Sequence, residues 1–460
     1  MTTWWDASTN WAANPFPVMG GGLGRPSVLS AVARQPQQLD VFSVAWDGSV
    51  QTAYWNPTVN WASPFAIAGS GSALAPDLTQ PPRPGNWAAI RDMTHIDVFW
   101  SGTDGSIMTT GSDYGTWLAA PLLIGAKGSA PANAPITGVS RQEHHTDAYW
   151  SSPSGAVMIE TSDRFFNNFQ WSGAWAVAYG ANPGGPVTSV SRNQNHIDLF
   201  WTSSKGEVVT TAWDQFGNNG QFGNLYYVAP PNSAVPNSPV AAATRNANHV
   251  DLFWANASGA IMTTRWDPAA GWNAPYAITA AGVAPAGAPI SPVARNAYHV
   301  DIYWINSNGA VMISYQDQFA NNANWNGPFQ ITPAGIALPG TTAAAVSRIP
   351  YQVDVFWQTP QGAIMSTLWN QFSNNGQWIT PYSITGPGQA TYDSPLAAVA
   401  RDANHVDVFW LQYLGSASTA SWSAFANNGQ WTQTSLMAPP QGGGGGGGGN
   451  KPPCVPSCVQ

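Results

Sequence analysis

Charged residues are scarce in this sequence. They make up 8% of its 460 residues, about a third of the usual share of roughly 25%. Eight of the 15 Lys and Arg residues stand at one repeated position, so no basic patch remains to bind a nucleic acid. The 25 Trp, 14 Tyr and 17 Phe residues supply a large apolar surface, which excludes a disordered chain.

Long apolar runs, a leader sequence and structural cysteines are also missing. No apolar run approaches the roughly 18 residues of a membrane span. The first ten residues lack the basic and apolar regions of a secretory signal, so we expect a cytoplasmic or non-classically secreted protein. The two cysteines, Cys454 and Cys458, both lie in the C-terminal tail. The fold is therefore expected not to depend on disulfides.

Helical periodicity is absent, and the chain instead repeats one pattern eight times. In the copy RNANHVDLFWANASG (245–259), an arginine precedes an aspartate by six residues, and a glycine follows that aspartate by eight. A repeat of about 50 residues is typical of propellers. The arginines are Arg34, Arg91, Arg141, Arg192, Arg245, Arg295, Arg348 and Arg401. The aspartates are Asp40, Asp97, Asp147, Asp198, Asp251, Asp301, Asp354 and Asp407.

Each copy divides into four short strand-like segments, with a glycine hairpin turn between the second and third. We therefore predict an all-β fold, a β-propeller of four-stranded antiparallel blades over residues 1–440. Eight blades are predicted, with seven as the alternative if a terminal copy is incomplete. Residues 2–18 look like an additional third and fourth strand, so one terminus is expected to close the ring. Residues 441–460 read as a glycine-rich flexible linker and tail.

The repeated polar residues favour a structural role. Two-residue strand periodicity puts the aspartate and the residue two before it on one face of a blade. If the short turn pairs Arg245 opposite His249, the arginine lies on that face too, which predicts one buried Arg–Asp pair in each blade. Histidine occupies that third position in six copies, whereas Gln38 and Gln352 replace it in the others. Glutamine preserves hydrogen bonding but is a poor metal ligand, so we predict a hydrogen-bonding role and no metal site or cofactor.

Tryptophans occur at two repeated places. Those that end the second strand, such as Trp254, are predicted to be core. Those that end the third strand stand beside a polar residue near a blade rim. An indole face suits the C–H face of a sugar, and Asn or Asp binds hydroxyl groups. The candidate ligand-binding residues are Trp55, Trp213, Trp266, Trp369, Trp422, Asn56, Asp214, Asp267 and Asn370. Packing is at least as good an explanation for each tryptophan.

Five copies lengthen the loop between the third and fourth strands and place an Asn pair in it, as at Asn218-Asn219. These pairs are interpreted either as binding residues or as turn formers in the left-handed region.

The blade pattern resembles that of the PLL-like (Photorhabdus-type) β-propeller lectins. The segments HIDVFWSGTDGSIMTT (95–110) and RWDPAAGW (265–272) carry the resemblance, which extends over roughly residues 2–437. It implies glycan binding at shallow sites repeated between blades, with fucose, O-methylated or galactose-type sugars as ligands. The characterised members of that family have seven blades, whereas this chain has eight copies.

An enzyme is not expected, because no catalytic motif is present and only three glutamates occur, each in a different context. We predict a multivalent lectin, and the sequence leaves its oligomeric state open. One alternative is a protein-interaction propeller that binds no sugar. The second is a glycoside hydrolase-like propeller, which would need two carboxylates held about 5–9.5 Å apart.

Overall fold

The computed structural model describes residues 29–45, 47–74, 86–90, 92–163, 170–412, 417–425 and 431. These residues form eight antiparallel sheets arranged in a ring, an eight-bladed β-propeller. The predicted fold class and the count of eight blades are confirmed. Residues 2–18, which were expected to contribute to ring closure, and the tail 441–460 lie outside the described residues.

Blades 1 to 4 occupy the N-terminal half of the chain. Blade 1 contains β1 (Leu29–Gln35), β2 (Gln38–Val44), β3 (Val50–Asn56), β4 (Asn60–Trp61) and β5 (Phe65–Ala68). Blade 2 contains β6 (Asn86–Ile90), β7 (His95–Ser101), β8 (Ile107–Asp113), β9 (Thr116–Trp117) and β10 (Leu122–Gly125). Blade 3 contains β11 (Ile136–Val139), β12 (His145–Ser151), β13 (Ala156–Asp163) and β14 (Trp175–Tyr179). Blade 4 contains β15 (Val187–Asn193), β16 (His196–Thr202), β17 (Val208–Asp214) and β18 (Tyr226–Ala229), with a 3₁₀ turn at Asn218–Gly220.

Blades 5 to 8 repeat this order. Blade 5 contains β19 (Ala241–Asn246), β20 (His249–Ala255), β21 (Ile261–Asp267), β22 (Gly271–Trp272) and β23 (Tyr276–Ala277). Blade 6 contains β24 (Ser291–Asn296), β25 (His299–Ile305), β26 (Val311–Asp317) and β27 (Trp325–Gln330), with a 3₁₀ turn at Asn321–Ala323. Blade 7 contains β28 (Ala344–Ile349), β29 (Gln352–Gln358), β30 (Ile364–Asn370) and β31 (Tyr382–Ser383), with a 3₁₀ turn at Asn374–Gly376. Blade 8 contains β32 (Ala397–Asp402), β33 (His405–Leu411) and β34 (Ala417–Ser423), and a bridge from Trp422 to Trp431 begins its outer edge.

The first strands of neighbouring blades lie side by side around the axis, and β1 lies beside β32. The ring is therefore closed between blades 8 and 1. The second strands are covered on both faces, as their bulky residues on both sides predicted, and their tryptophans, such as Trp254, are fully buried. Among the described residues, no helix is long and apolar enough to span a membrane.

One aromatic contact recurs at every junction between blades. The aromatic residue of a second strand meets, edge to face, an aromatic residue beside the third strand of the next blade. Ring centroids lie between 5.4 and 6.3 Å apart, which is the favourable T-shaped arrangement. The pairs are Phe42–Trp117, Phe99–Trp171, Tyr149–Phe222, Phe200–Trp272, Phe253–Trp325, Tyr303–Trp378, Phe356–Trp431 and Phe409–Trp61. The last pair joins blade 8 to blade 1.

The glycine that follows the second strand is required at its position in the seven blades where the structure describes it. Gly259 has φ +75°, and a Cβ on it would lie 2.2 Å from the carbonyl oxygen of Ala284. A side chain there would be strained by the backbone and would collide with the connection to the next blade. This explains the fixed eight-residue interval from aspartate to glycine.

Candidate functional site

Each junction brings together the same parts from two blades. The histidine, aspartate and phenylalanine of a second strand face the following blade; for example, Thr146 of blade 3 donates to Asp97 of blade 2 at 3.0 Å. The end of the third strand of the following blade faces back, as Trp266 does toward His196. The arginine of one blade therefore meets the third-strand tip of the next.

The predicted Arg–Asp pair is confirmed in six of the seven repeats whose arginine is described. In blade 5, Arg245 donates from Nε and Nη2 to the two oxygens of Asp251, at 2.7 and 2.9 Å. Burial raises the pKa of Asp251 despite the neighbouring guanidinium, because desolvation penalises the charged form. The other pairs are Arg34–Asp40, Arg192–Asp198, Arg295–Asp301, Arg348–Asp354 and Arg401–Asp407.

Blade 3 departs from the predicted pair. There His145 lies between two carboxylates, 2.9 Å from Asp147 and 2.7 Å from Asp163. Arg141 instead donates to the carbonyl oxygen of Gln194 at 2.8 Å. The prediction of an Arg–Asp pair in every blade is thus wrong for blade 3, where the first strand ends at Val139, before the arginine, whereas in blade 4 it runs to Asn193, past Arg192. Arg91 of blade 2 lies outside the described residues.

Four of the six repeat histidines lie between two aspartates of their own blade, whereas His405 contacts Asp402 and Nε2 of His249 is buried without a hydrogen-bond partner among the described residues. In blade 4, His196 lies 3.3 Å from Asp198 and 3.1 Å from Asp214, at opposite ring nitrogens. His299 of blade 6 makes the corresponding contacts at 2.9 and 3.1 Å. The predicted hydrogen-bonding role of this position is therefore confirmed in these blades.

The five candidate tryptophans lie between blades, each against the arginine of the preceding blade. The guanidinium carbon lies between 3.8 and 4.5 Å from the indole centroid, well within the roughly 6 Å of a cation–π contact. The pairs are Arg141–Trp213, Arg192–Trp266, Arg295–Trp369, Arg348–Trp422 and Arg401–Trp55. The indole N–H groups of Trp213 and Trp369 donate to carbonyl oxygens of their own loops.

The four candidate polar residues shape the turn that follows the third strand. Oδ1 of Asn56 accepts from the amides of Thr58 and Val59 at 3.0 Å. The corresponding oxygens of Asp214, Asp267 and Asn370 accept from amides two or three residues on. Sugar contact by these nine candidates stays a prediction, since the structure contains no ligand.

The Asn pairs of the longer loops form turns. Asn218 and Asn219 have φ +45° and +55°, and Nδ2 of Asn218 donates to the carbonyl oxygen of Phe222 at 2.8 Å. Asn374 and Asn375 of blade 7 and Asn321 of blade 6 also have positive φ angles. The turn-forming interpretation is confirmed for the three pairs that the structure describes, in blades 4, 6 and 7.

Three blades carry no tryptophan at the third-strand tip. Ser112, Ser162 and Gln316 replace it in blades 2, 3 and 6. A cavity of about 280 Å³ lies between blades 1 and 2, at the position of Ser112. Its walls are Arg34, Gln35, Gln38, Asp40, Tyr54, Asn56, Met93, Thr94, Ser112, Tyr114, Gly115 and Trp117. Asn56 is thus the sequence candidate that lines this cavity.

The cavity walls present several polar groups. Arg34 donates to both oxygens of Asp40, at 2.8 and 3.0 Å, and to the carbonyl oxygen of Thr94 at 3.3 Å. These contacts use three of the five N–H donors of a guanidinium. The hydroxyl of Ser112 is buried without a hydrogen-bond partner among the described residues. Sequence reasoning missed this site because it grouped the blades that carry the tryptophan and overlooked those that lack it.

Two other polar clusters lie near the junction of blades 2 and 3. His144 lies 2.9 Å from Asp92 and 4.0 Å from Glu143, and these residues form the one group of potential metal ligands within the described part of the chain. The two carboxylates approach opposite ring nitrogens, which describes an ion pair between blades better than a metal site. Glu160 is buried, and burial raises its pKa to about 7.

No protein-family model and no curated protein matches the sequence. Among solved structures, the chain is similar to the BP39L lectin from Burkholderia pseudomallei, with a TM-score of 0.62 and 24% identity over 80% of this chain and 99% of that chain. AofleA from Arthrobotrys oligospora gives a TM-score of 0.43 and 15% identity over 65% and 86% of the two chains. A six-bladed fungal lectin from Aleuria aurantia gives 0.41 and 15% over 79% and 97%. The similarity to BP39L shows the propeller fold.

Proposed function

We propose that this protein binds carbohydrate, and that its best-formed site is the cavity between blades 1 and 2. The volume of that cavity, about 280 Å³, lies close to the lower end of the roughly 300–1,000 Å³ of ligand sites. It suits one sugar ring better than a long chain. This open cavity over the Arg34–Asp40 pair is the observation that carries the proposal.

The chemistry of the walls fits a neutral ligand with many hydroxyl groups. Gln38, Asn56 and Thr94 offer donors and acceptors, and Arg34 offers the N–H donors that Asp40 and Thr94 leave available. Tyr54, Tyr114 and Trp117 add aromatic surface, against which the C–H face of a sugar can pack. Because the guanidinium and the carboxylate already neutralise each other, the site gives little preference to a charged ligand.

The described similarity supports a lectin, since BP39L is itself a lectin. The resemblance of the blade pattern to PLL-like lectins points to fucose, O-methylated or galactose-type sugars. A hydrolase is disfavoured at this site, because Asp40 is the one carboxylate among the cavity-lining residues and glycoside cleavage requires two.

Calorimetry with fucose, galactose and their O-methyl derivatives tests the proposal. Tyr114 lies at the cavity rim and is 82% exposed, so Tyr114→Ala should weaken sugar binding at least tenfold without harming the fold. Phe216→Ala is the matched control, because Phe216 is 81% exposed in the corresponding loop of blade 4. Equal affinity of both variants and the unmodified protein would place the ligand elsewhere, and no binding of any sugar on a dense glycan array would refute the lectin assignment.

A protein-interaction propeller is the second candidate function, and one observation favours it. The tips of four loops after third strands carry phenylalanines that are between 76 and 81% exposed. These are Phe216, Phe319, Phe372 and Phe425. Exposed aromatic side chains are enriched at protein interfaces. Capture of a protein partner that survives excess fucose and galactose, but is lost when these phenylalanines become alanine, would support this function.

A further inference from the structure

From the contrast between junctions, we infer that the third-strand tryptophan is a plug, and that serine in its place opens a binding site. The inference rests on the proposed carbohydrate function and adds to it the residue that decides which junctions bind. The eight-fold repeat would then carry only one or two open sites, at the serine junctions, instead of eight.

The serine and the tryptophan occupy the same place in the fold. Ser112 pairs with Ile96 and with Trp117 across the sheet. In blade 5, Trp266 pairs with Val250 and with the fourth-strand Trp272. Because the register is identical, exchanging the two residues changes what fills the junction and leaves the backbone unchanged.

The arginine is buried at open and plugged junctions alike, so the difference lies in what covers it. Its side chain is 6% exposed at Arg34 and between 2 and 11% exposed at the five arginines that face a tryptophan. At the junction of blades 7 and 8, the indole of Trp422 lies 3.8 Å from the guanidinium carbon of Arg348. At the junction of blades 1 and 2, the cavity lies there instead. Arg34 therefore lines a cavity, whereas an indole already occupies one face of Arg348.

The two remaining junctions differ from this pair. Gln316 of blade 6 is buried, and its amide donates to the carbonyl oxygen of Ala323 at 2.7 Å. This bond holds the Gln316 side chain against the loop of its own blade. Ser162 of blade 3 repeats the serine. Its partner arginine, Arg91, lies outside the described residues, so the inference is argued from the junction of blades 1 and 2.

Swapping the two residue types tests the plug. Ser112→Trp should weaken sugar binding at least 100-fold and leave the melting temperature close to that of the unmodified protein, because five other blades already carry tryptophan there. Trp266→Ser should add one site per chain in calorimetry; if it folds poorly, Trp213→Ser at the preceding junction replaces it. One or two sugar molecules bound per chain of the unmodified protein would support the inference. A stoichiometry of five or more, or loss of sites in Trp266→Ser, would show that the tryptophans themselves bind sugar.

A measurement without sugar separates this inference from the lectin proposal. Butanedione modifies accessible arginine, and peptide mass spectrometry reports the rate at each one. We expect Arg34 to react faster than Arg192, Ser112→Trp to slow Arg34 about tenfold, and Trp266→Ser to accelerate Arg192. Equal rates at the two arginines in all three proteins would overturn the plug even if sugar binds. If the rates are as expected but no sugar binds, the inference that tryptophan closes the junction stands and only the proposed carbohydrate binding is refuted.

Discussion

The junction of blades 1 and 2 and the junction of blades 4 and 5 are built from the same parts. In each, an edge-to-face aromatic pair joins the blades, with centroids 6.0 and 5.8 Å apart. In each, a buried arginine pairs with the aspartate six residues on. They differ where Ser112 stands in one and Trp266 in the other. The comparison teaches that the scaffold and the site are separable, since one side chain decides whether the junction holds an indole or a cavity.

Removing the arginine should have the largest effect, and a larger one at the plugged junction. Arg192→Met removes the guanidinium from the buried Asp198 and leaves it His196, 3.3 Å away; breaking a buried ion pair in this way costs roughly 3–5 kcal/mol of unfolding free energy. Arg34→Met should cost at least about 1 kcal/mol less, because water can enter a polar cavity of this size and solvate Asp40. Urea denaturation of the two variants measures both losses. Equal losses would mean that the cavity does not hydrate the carboxylate.

Glu160 extends the comparison to the junction of blades 2 and 3. In blade 5 the same place holds Thr264, whose hydroxyl donates to the carbonyl oxygen of Asn273 at 2.7 Å. Burial raises the pKa of Glu160 from 4.5 to about 7, so the folded protein retains a proton that the unfolded chain releases between these values. The stability that the folded protein gains by retaining this proton is fully present below about pH 4.5 and is lost as the pH rises through about 7.

Glu160→Gln should therefore match the unmodified protein at pH 4.5 and exceed it by roughly 3 kcal/mol at pH 8, at about 1.4 kcal/mol for each unit of pKa shift. Urea unfolding at both pH values checks this. Glu143→Gln removes a charge from a side chain that is 72% exposed and serves as the control. A constant difference between Glu160→Gln and the unmodified protein across the pH range would show that folding does not raise the pKa of Glu160.

The plug should also stabilise the fold modestly. Trp266→Ser removes the indole from Arg192, at a centroid distance of 3.9 Å, and part of its apolar contact. Cation–π pairs contribute about 0.5–2 kcal/mol, so we expect a loss of about 2 kcal/mol in chemical denaturation. Ser112→Ala should change stability by less than about 0.5 kcal/mol. A loss at Ser112→Ala as large as that at Trp266→Ser would contradict the assignment of an open cavity.

The repeat made most of the fold predictable, because its fixed intervals encode contacts within one blade. Arg245 reaches Asp251 across a short hairpin, and Gly259 sits at a turn that only glycine tolerates. Contacts between blades were not predictable in this way. Trp266 meets Arg192 from the preceding repeat, and nothing in either repeat alone shows that the two side chains converge.

The sequence carries a signal for the open site in the residue that replaces tryptophan at the third-strand tip. Aligned at the third-strand tip, blades 4 and 5 read Trp-Asp, whereas blades 2 and 3 read Ser-Asp and blade 6 reads Gln-Asp. A missing large side chain in an otherwise repeated interface predicts a void. The residues that surround that void, such as Met93 and Tyr54, come from two repeats and required the structure.

The smallest expected effect concerns Asn56, which both caps a turn and lines the cavity. Asn56→Ala should cost about 1 kcal/mol of stability through the lost turn bonds, and Asn370→Ala, which caps the same turn in blade 7, should cost a similar amount. Only Asn56→Ala should weaken sugar binding, by about 2- to 10-fold for one hydrogen bond. Calorimetry and urea denaturation of both variants separate the two roles. If both variants bind sugar equally well, Asn56 acts only in the turn; if Asn370→Ala loses affinity as well, sugar also binds at the blade 7 rim, beside the plugged junction of Trp369.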